Sequence, residues 1–204
     1  MKNYLKISNW FLYDNKLTPT DKLLFALILH NSEVTGFCTK TDNDYALILN
    51  VTDRTIRTSI QKLKRLDYIN TNISGAKTGI MRVITPKPAI LEIACIEDTP
   101  TKIYSLKIPN WLLYDNKLTP TEKMLFALIL HYSEVTGFCT KTNHDFAFIL
   151  NVTDRTIQTL IQKLNELGYI DTTKIGAETG IMRVIAPKPV ILEKMEDLWD
   201  KKIN

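Results

Sequence analysis

The sequence lacks the features that mark membrane-spanning and secreted proteins. None of its apolar runs approaches the roughly 18 residues that a helix needs to cross a bilayer. The first residues, Met1 to Lys6, lack the apolar segment of a signal peptide. We therefore expect a cytoplasmic protein.

Cysteine is scarce, and the familiar catalytic motifs are missing. The 3 cysteines, Cys38, Cys95 and Cys139, do not make a disulfide framework, so we expect reduced and partly buried thiols. There is no P-loop, no GxGxxG motif and no Ser-His-Asp set. Cys139 and His144 form only a weak zinc pattern, because a similar segment 101 positions earlier has Asn43 in place of His144. We expect no enzymatic activity, no cofactor and no metal.

What the sequence does contain is an internal repeat. From Leu5 to Glu92, about three quarters of the residues are identical to those 101 positions later, without a gap. This predicts two domains, which we call repeat 1 (residues 1–95) and repeat 2 (residues 102–188). An acidic linker, 96–101, would separate them, and an amphipathic helix would follow at 189–204.

The predicted C-terminal helix has an apolar face that allows two interpretations. It either folds back on its own domain or contacts a protein partner or a second copy of the chain. The residues of this face are Ile191, Leu192, Met195, Leu198 and Trp199.

Each repeat shows three helical patterns followed by a hairpin. In repeat 1, Thr18 is a typical cap for an apolar helix, Thr41 caps a second helix and Thr52 caps a third. Asn50 predicts a tight turn between the last two helices, because asparagine tolerates a left-handed backbone. The third helix has one apolar stripe, formed by Ile56, Ile60, Leu63 and Leu66.

The hairpin of repeat 1 is predicted from strands at 68–71 and 80–84 around a glycine-rich tip at 75–79. A short first strand is expected at 4–7. Helix, helix, turn, helix and hairpin is the order of a winged helix-turn-helix domain. The fold class is therefore α+β, mainly helical, with two tandem winged helix-turn-helix domains from an internal duplication.

Several sequence motifs resemble one known group of domains. The motifs are Lys6 to Trp10 with Lys107 to Trp111, Leu17 to Pro19, and Ala46 to Ile56. They look like winged helix-turn-helix domains of plasmid replication initiators, phage replisome organisers and plasmid transfer accessory proteins of Gram-positive bacteria.

The resemblance implies a bacterial, nucleoid- or plasmid-associated protein that binds double-stranded DNA sequence-specifically, in plasmid or phage replication, transfer or its control. Two alternatives stay open. One is a transcriptional regulator. The other is a replisome or relaxosome scaffold in which repeat 2 binds a protein partner.

Candidate DNA contacts lie on the third helix, at the start of the second helix and on the hairpin. Such contacts need polar residues near a helix N-terminus and longer donors one turn further on. In repeat 1 the candidates are Thr39, Lys40, Thr41, Arg54, Arg57, Thr58, Gln61, Lys62, Arg65, Lys77 and Arg82. In repeat 2 they are Thr140, Lys141, Thr142, Arg155, Gln158, Thr159, Gln162, Lys163 and Arg183.

The two halves of the sequence differ in charge. Residues 1–95 hold 13 Lys and Arg against 8 Asp and Glu, a net of +5; residues 96–204 hold 13 against 14, a net of −1. Arg57, Lys64, Arg65 and Lys77 become Gln158, Asn165, Glu166 and Glu178. We hypothesise that repeat 1 supplies most of the DNA affinity, while repeat 2 adds specificity or contacts a protein. The alternative is unconstrained drift of solvated positions.

The two third helices are expected to act as a covalent pseudo-dimer on adjacent half-sites. The connection from Pro88 to Lys102, about 13 residues, spans up to roughly 45 Å when extended. Half-sites one DNA turn apart, about 34 Å, are therefore within reach. The sequence leaves open whether the half-sites are direct or inverted.

Overall fold

The computed structural model describes residues 3–76, 79–87, 105–177 and 180–189. Its contacts divide the chain into two compact units, Met1–Lys123 and Met124–Asn204. The predicted fold class, α+β and mainly helical, is confirmed, and the helices and small antiparallel sheets are compatible with winged helix-turn-helix domains. The predicted domain boundaries stay predictions. The linker 96–101 and residues 190–204 of the predicted C-terminal helix lie outside the described residues.

The same order of elements occurs in both repeats. Repeat 1 contains β1 (Tyr4–Ser8), α1 (Asn9–Leu12), α2 (Pro19–Ser32), α3 (Asp42–Leu49), α4 (Asp53–Arg65), β2 (Ile69–Ala76) and β3 (Gly79–Pro86). Repeat 2 contains β4 (Ser105–Pro109), α5 (Asn110–Leu113), α6 (Pro120–Ser133), α7 (Asn143–Leu150), α8 (Asp154–Glu166), β5 (Ile170–Ala177) and β6 (Gly180–Pro187).

The helices of repeat 1 begin at the residues whose side chains cap them. Thr18 accepts a hydrogen bond from the Asp21 backbone N–H, and Asp21 accepts one from that of Thr18, at 3.3 and 2.9 Å. Thr41 opens α3 with the same reciprocal arrangement. Thr52 opens α4 by accepting from the Thr55 N–H at 3.3 Å. These predicted caps are confirmed, and each is worth about 1 kcal/mol.

The core of repeat 1 surrounds α2, which is apolar on nearly every side. Leu23, Leu24 and Phe25 are fully buried. Trp10 and Tyr68 contact Phe25 with ring centroids 5.9 and 5.2 Å away. Burying each large apolar side chain contributes roughly 1.5–3 kcal/mol, so this cluster holds the helices and the hairpin together.

The turn between α3 and α4 has the predicted left-handed backbone, with φ of 54° at Asn50. The amide Nδ2 of Asn50 also donates to the carbonyl of Asn116 at 2.8 Å. Nearby, the buried ammonium of Lys123 donates to the carbonyls of Ile48 and Leu113, at 2.9 and 2.6 Å. Within this unit, the beginning of repeat 2 therefore supports the turn of repeat 1.

The two first strands pair with each other, which the sequence analysis did not predict. β1 and β4 are antiparallel, with Lys6 opposite its repeat equivalent Lys107. Leu5 faces Ile108 and Ile7 faces Leu106, so exchanging the two strands leaves the pattern of pairs unchanged. The strand pair therefore has local two-fold symmetry.

In each repeat a third backbone segment pairs with the hairpin. β2 pairs with β3 from Ile69↔Pro86 to Ala76↔Gly79, and β5 pairs with β6 in the equivalent register. Cys38 exchanges two backbone hydrogen bonds of 2.8 Å with Ile84. Cys38 and Cys139 are free thiols, and they are fully rather than partly buried; Cys95 lies outside the described residues.

Among the described residues, no helix combines the length and the apolar character needed to cross a membrane.

Candidate nucleic-acid interface

Helix α4 has one buried face and one polar, exposed face. Ile56, Ile60 and Leu63 are buried, as the predicted stripe requires, while Leu66 is only half-buried. The exposed side chains include four of the predicted DNA contacts: Arg54, Arg57, Thr58 and Gln61. The Thr58 hydroxyl donates to the carbonyl of Arg54 at 2.9 Å. We call α4 and its equivalent α8 the recognition helices.

Recognition helix α8 has the same division of faces but carries less charge. Ile157, Ile161 and Leu164 are buried. The predicted contacts on the exposed face are Arg155, Gln158, Thr159 and Gln162. The amide Nε2 of Gln162 donates to Glu166 at 2.9 Å.

The start of α3 lies beside the recognition helix and carries three predicted contacts. Thr39 and Thr41 are exposed and Lys40 is half-buried. The backbone N–H and hydroxyl of Thr41 bind Asp44 and hold the pKa of that carboxyl below its usual value. Asp44 therefore stays ionised and caps the helix, which leaves Lys40 as the charged candidate for a phosphate contact here.

The equivalent segment in repeat 2 contains Thr140, Lys141 and Thr142. The two threonines are exposed, and the Lys141 ammonium lies 4.9 Å from the centroid of the Tyr132 ring. The segment borders an open pocket of about 460 Å³, to which His144 and Arg183 also contribute. The pocket is lined by hydroxyls, cationic side chains and a helix N-terminus, which suit a phosphate, but also by the carboxylate of Asp154, which does not.

One carboxylate in repeat 1 joins the recognition helix to the hairpin. Asp42, the first residue of α3, forms an ion pair with Arg82 on β3. Its other oxygen lies 3.4 Å from Nε of Arg57 on α4. Arg57 is also 4.0 Å from Asp53, one turn earlier on the same helix. Two predicted DNA contacts, Arg57 and Arg82, therefore share one acidic partner, and Arg57 still exposes 63% of its side chain.

Repeat 2 replaces the ion-paired residues Asp42 and Arg57 by two neutral amides and keeps the arginine on the hairpin. Asn143 stands in place of Asp42, and its Oδ1 accepts a hydrogen bond from Arg183 at 2.7 Å. Arg183 also donates to the carbonyl of Lys141 at 3.3 Å. Gln158 stands in place of Arg57. The arginine on the hairpin keeps its partner, while the recognition helix carries no charge at this position.

Lys62, another predicted contact, has a partner inside the fold. Its ammonium binds the buried carboxylate of Asp21 at 2.6 Å. Burial by itself would raise the pKa of Asp21, but hydrogen bonds from Lys62, Ser59 and Thr18 outweigh it and lower the pKa. Lys62 therefore compensates a buried charge, and a role in DNA binding stays a prediction. Its equivalent Lys163 is half-buried.

The remaining predicted contacts are Arg65 and Lys77. Arg65 is exposed at the end of α4. Lys77, at the predicted hairpin tip, lies outside the described residues, as does its equivalent Glu178. Within the part of the chain that the structure describes, no group of three His, Cys, Asp or Glu side chains could hold a metal ion.

Arg57 and Arg82 are predicted from the sequence, whereas Asp42, the residue that joins them, is not. The signal was present in the repeat, because Asp42 and Arg57 change together into Asn143 and Gln158. Such a joint change, from two opposite charges to two neutral amides, is expected when the two residues form an ion pair.

Comparisons with known proteins agree with this geometry. Residues 116–170, from the segment before α6 to the first residue of β5, match the family model described as a helix-turn-helix domain. The equivalent segment of repeat 1 is 15–69. A helix-turn-helix domain supports DNA binding in general.

The other comparisons add little. No curated protein matches the chain. Among solved structures, it is similar to the DIP2311 protein from Corynebacterium diphtheriae, with 14% identity, 81% of this chain and 26% of that chain covered, and a TM-score of 0.25. The chain therefore spans about a quarter of the length of that structure.

Proposed function

We propose that this protein binds double-stranded DNA sequence-specifically through α4 and α8, in plasmid or phage replication, transfer or its control. The observation that carries the proposal is the exposed polar face of each recognition helix, opposite a buried apolar face. Arg54 and Arg57 provide donors suited to guanine edges, while Gln158 and Gln162 suit adenine. We propose a binding role rather than a catalytic one.

We propose further that the two repeats act as a covalent pseudo-dimer. The support is the pairing of β1 with β4, in which Lys6 faces its own equivalent Lys107. Paired elements with two-fold symmetry are the usual basis of dimers that bind inverted half-sites. We therefore expect an inverted pair of half-sites rather than a direct repeat.

The experiment that tests the proposal is selection of bound sequences from random duplex DNA by the full-length chain. Two inverted half-sites are expected, with centres about 34 Å or a multiple of that distance apart. The affinity for the selected site should fall steeply as salt rises, because phosphate contacts release counterions. Absence of any enriched sequence would reject sequence-specific binding, and a single half-site would reject the pseudo-dimer.

A second candidate function is a scaffold in which repeat 2 binds a protein. The observation that favours it is Phe148 on α7, which exposes 70% of its area although it is large and apolar. Complex formation through such a contact should change little between low and high salt, which distinguishes it from DNA binding. A transcriptional regulator would give the same selection result as a replication protein, so the genes that flank the selected sites decide between them.

A further inference from the structure

We propose that Asp42 determines the specificity of repeat 1 by positioning Arg57 for base recognition, an inference that rests on the proposed DNA binding. Asp42 itself would contact no base. It would hold the guanidinium of Arg57 in one place, so that repeat 1 and repeat 2 prefer different bases at the equivalent position of their half-sites.

The geometry of repeat 1 supports this role. Oδ2 of Asp42 is 3.4 Å from Nε of Arg57, while its Oδ1 is held by Arg82. Asp42 is only 19% exposed, and Arg82 on β3 fixes it from the side of the hairpin. The acid is therefore anchored independently of Arg57, so it can act as a fixed support for a long and otherwise flexible side chain.

A fixed arginine discriminates bases better than a mobile one. A free arginine loses rotamer entropy when it binds, and it also accommodates several base edges or a phosphate. Arg57 is held along its Nε edge, and 63% of its side chain remains exposed. A guanidinium restricted in this way is suited to bidentate binding of the two acceptors of guanine in the major groove.

Asp42 also carries a cost for binding that is not sequence-specific. Its negative charge lies beside Arg57 and Arg82, two side chains that would otherwise attract phosphates. This charge lowers the attraction of repeat 1 for any duplex. A residue that lowers general attraction and fixes a base-contacting group increases the ratio of specific to non-specific binding.

Repeat 2 provides the natural control. At the equivalent position Asn143 still accepts a hydrogen bond from Arg183, at 2.7 Å. Asparagine therefore supports the hairpin arginine without a charge. In repeat 1 the substitution Asp42→Asn should keep the contact with Arg82 and the fold, while removing the ion pair with Arg57.

The test uses the full-length chain and its selected DNA site. Binding of the wild type, Asp42→Asn, Arg57→Gln and the double variant is measured against every single-base change in the half-site of repeat 1. Asn143→Asp in repeat 2 is the matched control, since the neighbouring Gln158 offers no cation. Melting temperatures verify that each variant folds.

We expect Arg57→Gln to replace the preference for guanine at one base pair by the adenine preference proposed for Gln158, and Asp42→Asn to reduce the guanine preference there about tenfold. Asp42→Asn should also tighten binding to random duplex DNA, and it should have no further effect on discrimination in the Arg57→Gln background. Asn143→Asp should weaken binding to all sequences alike.

Two results would overturn the inference alone while the wild type binds specifically. One is unchanged discrimination in Asp42→Asn or in Arg57→Gln. The other is an Asp42→Asn effect of equal size in the presence and absence of Arg57, because Asp42 would then act through the fold. A wild type without sequence preference would overturn the proposed function itself, and the inference with it.

Discussion

The two repeats carry different charges at the same place in the same fold. In repeat 1 the cluster is Asp42, Arg57 and Arg82, with charges −1, +1 and +1; in repeat 2 it is Asn143, Gln158 and Arg183, with charges 0, 0 and +1. Both clusters therefore sum to +1. In repeat 2 the loss of the positive charge of Arg57 is offset by the loss of the negative charge of Asp42. The two clusters therefore differ in how their arginines are positioned more than in their net charge.

The recognition helices still differ in total charge. Helix α4 contains Arg54, Arg57, Lys62, Lys64 and Arg65 against Asp53, a net of +4. Helix α8 contains Arg155 and Lys163 against Asp154 and Glu166, a net of 0. The whole of the difference that Asp42 does not offset lies at the exposed C-terminal end of the helices, where Lys64 and Arg65 become Asn165 and Glu166. The stronger general attraction of repeat 1 for DNA stays a prediction.

The largest expected difference between the repeats is the loss of DNA affinity when each recognition helix is disabled in turn. Arg54→Ala with Arg57→Ala should weaken binding to the selected site by about 100-fold or more, because two base or phosphate contacts are lost. Arg155→Ala with Gln158→Ala should weaken it about tenfold, because only one charge is removed. Affinities of the full-length variants at one fixed salt concentration check this. Equal losses would show that the repeats contribute equally.

A smaller expected effect, on stability, distinguishes a lysine that pairs with a buried carboxylate from a lysine that is exposed at the surface. Lys62→Met leaves Asp21 buried without its ammonium partner, so we expect unfolding free energy to fall by about 2–3 kcal/mol. Lys64→Met, two residues later and exposed, should leave stability within about 0.5 kcal/mol. Urea unfolding at pH 7 measures both. The difference should shrink as the pH falls through the lowered pKa of Asp21, because a neutral carboxyl needs no partner.

The turn after each recognition helix allows a reciprocal substitution, because the two repeats have different residues at the same backbone position. Asp67 has φ of 66°, and repeat 2 has Gly168 with φ of 78° at the same place. Asp67→Gly should stabilise the protein by up to about 1 kcal/mol, reduced by the loss of the exposed ion pair with Lys87. Gly168→Asp should destabilise it by about 1 kcal/mol. Melting temperatures should move in opposite directions, and a shift of the same sign in both would contradict this account.

The last expected effect depends on pH and concerns a buried lysine in each repeat. Burial lowers the pKa of Lys22 and of Lys123 to about 8. The unfolded chain therefore binds more protons between pH 8 and 10, and stability should rise with pH in this range. We expect the melting temperature to rise between pH 8 and 10. Lys22→Met should remove part of that increase, and an unchanged profile in Lys22→Met would exclude Lys22 as its source.

Much of the fold follows from the sequence because its signals are local. Thr18, Thr41 and Thr52 cap helices by bonding a backbone N–H three residues later, so the cap and its partner are adjacent in the chain. Asn50 adopts the left-handed backbone because of its own side chain and backbone. The buried stripe of α4 follows from helical periodicity, and the second repeat shows the same pattern again.

Only the tertiary structure decided which charged groups meet. Lys62 and Asp21 are 41 residues apart, and Arg82 and Asp42 are 40 apart, so no local pattern announces either pair. The pairing of β1 with β4 likewise depends on two segments about a hundred residues apart. Such contacts form only after the cores bring the elements together, since packing and not sequence spacing determines their distances. The sequence identified the candidate cations, and the fold separated those that support it from those presented at its surface.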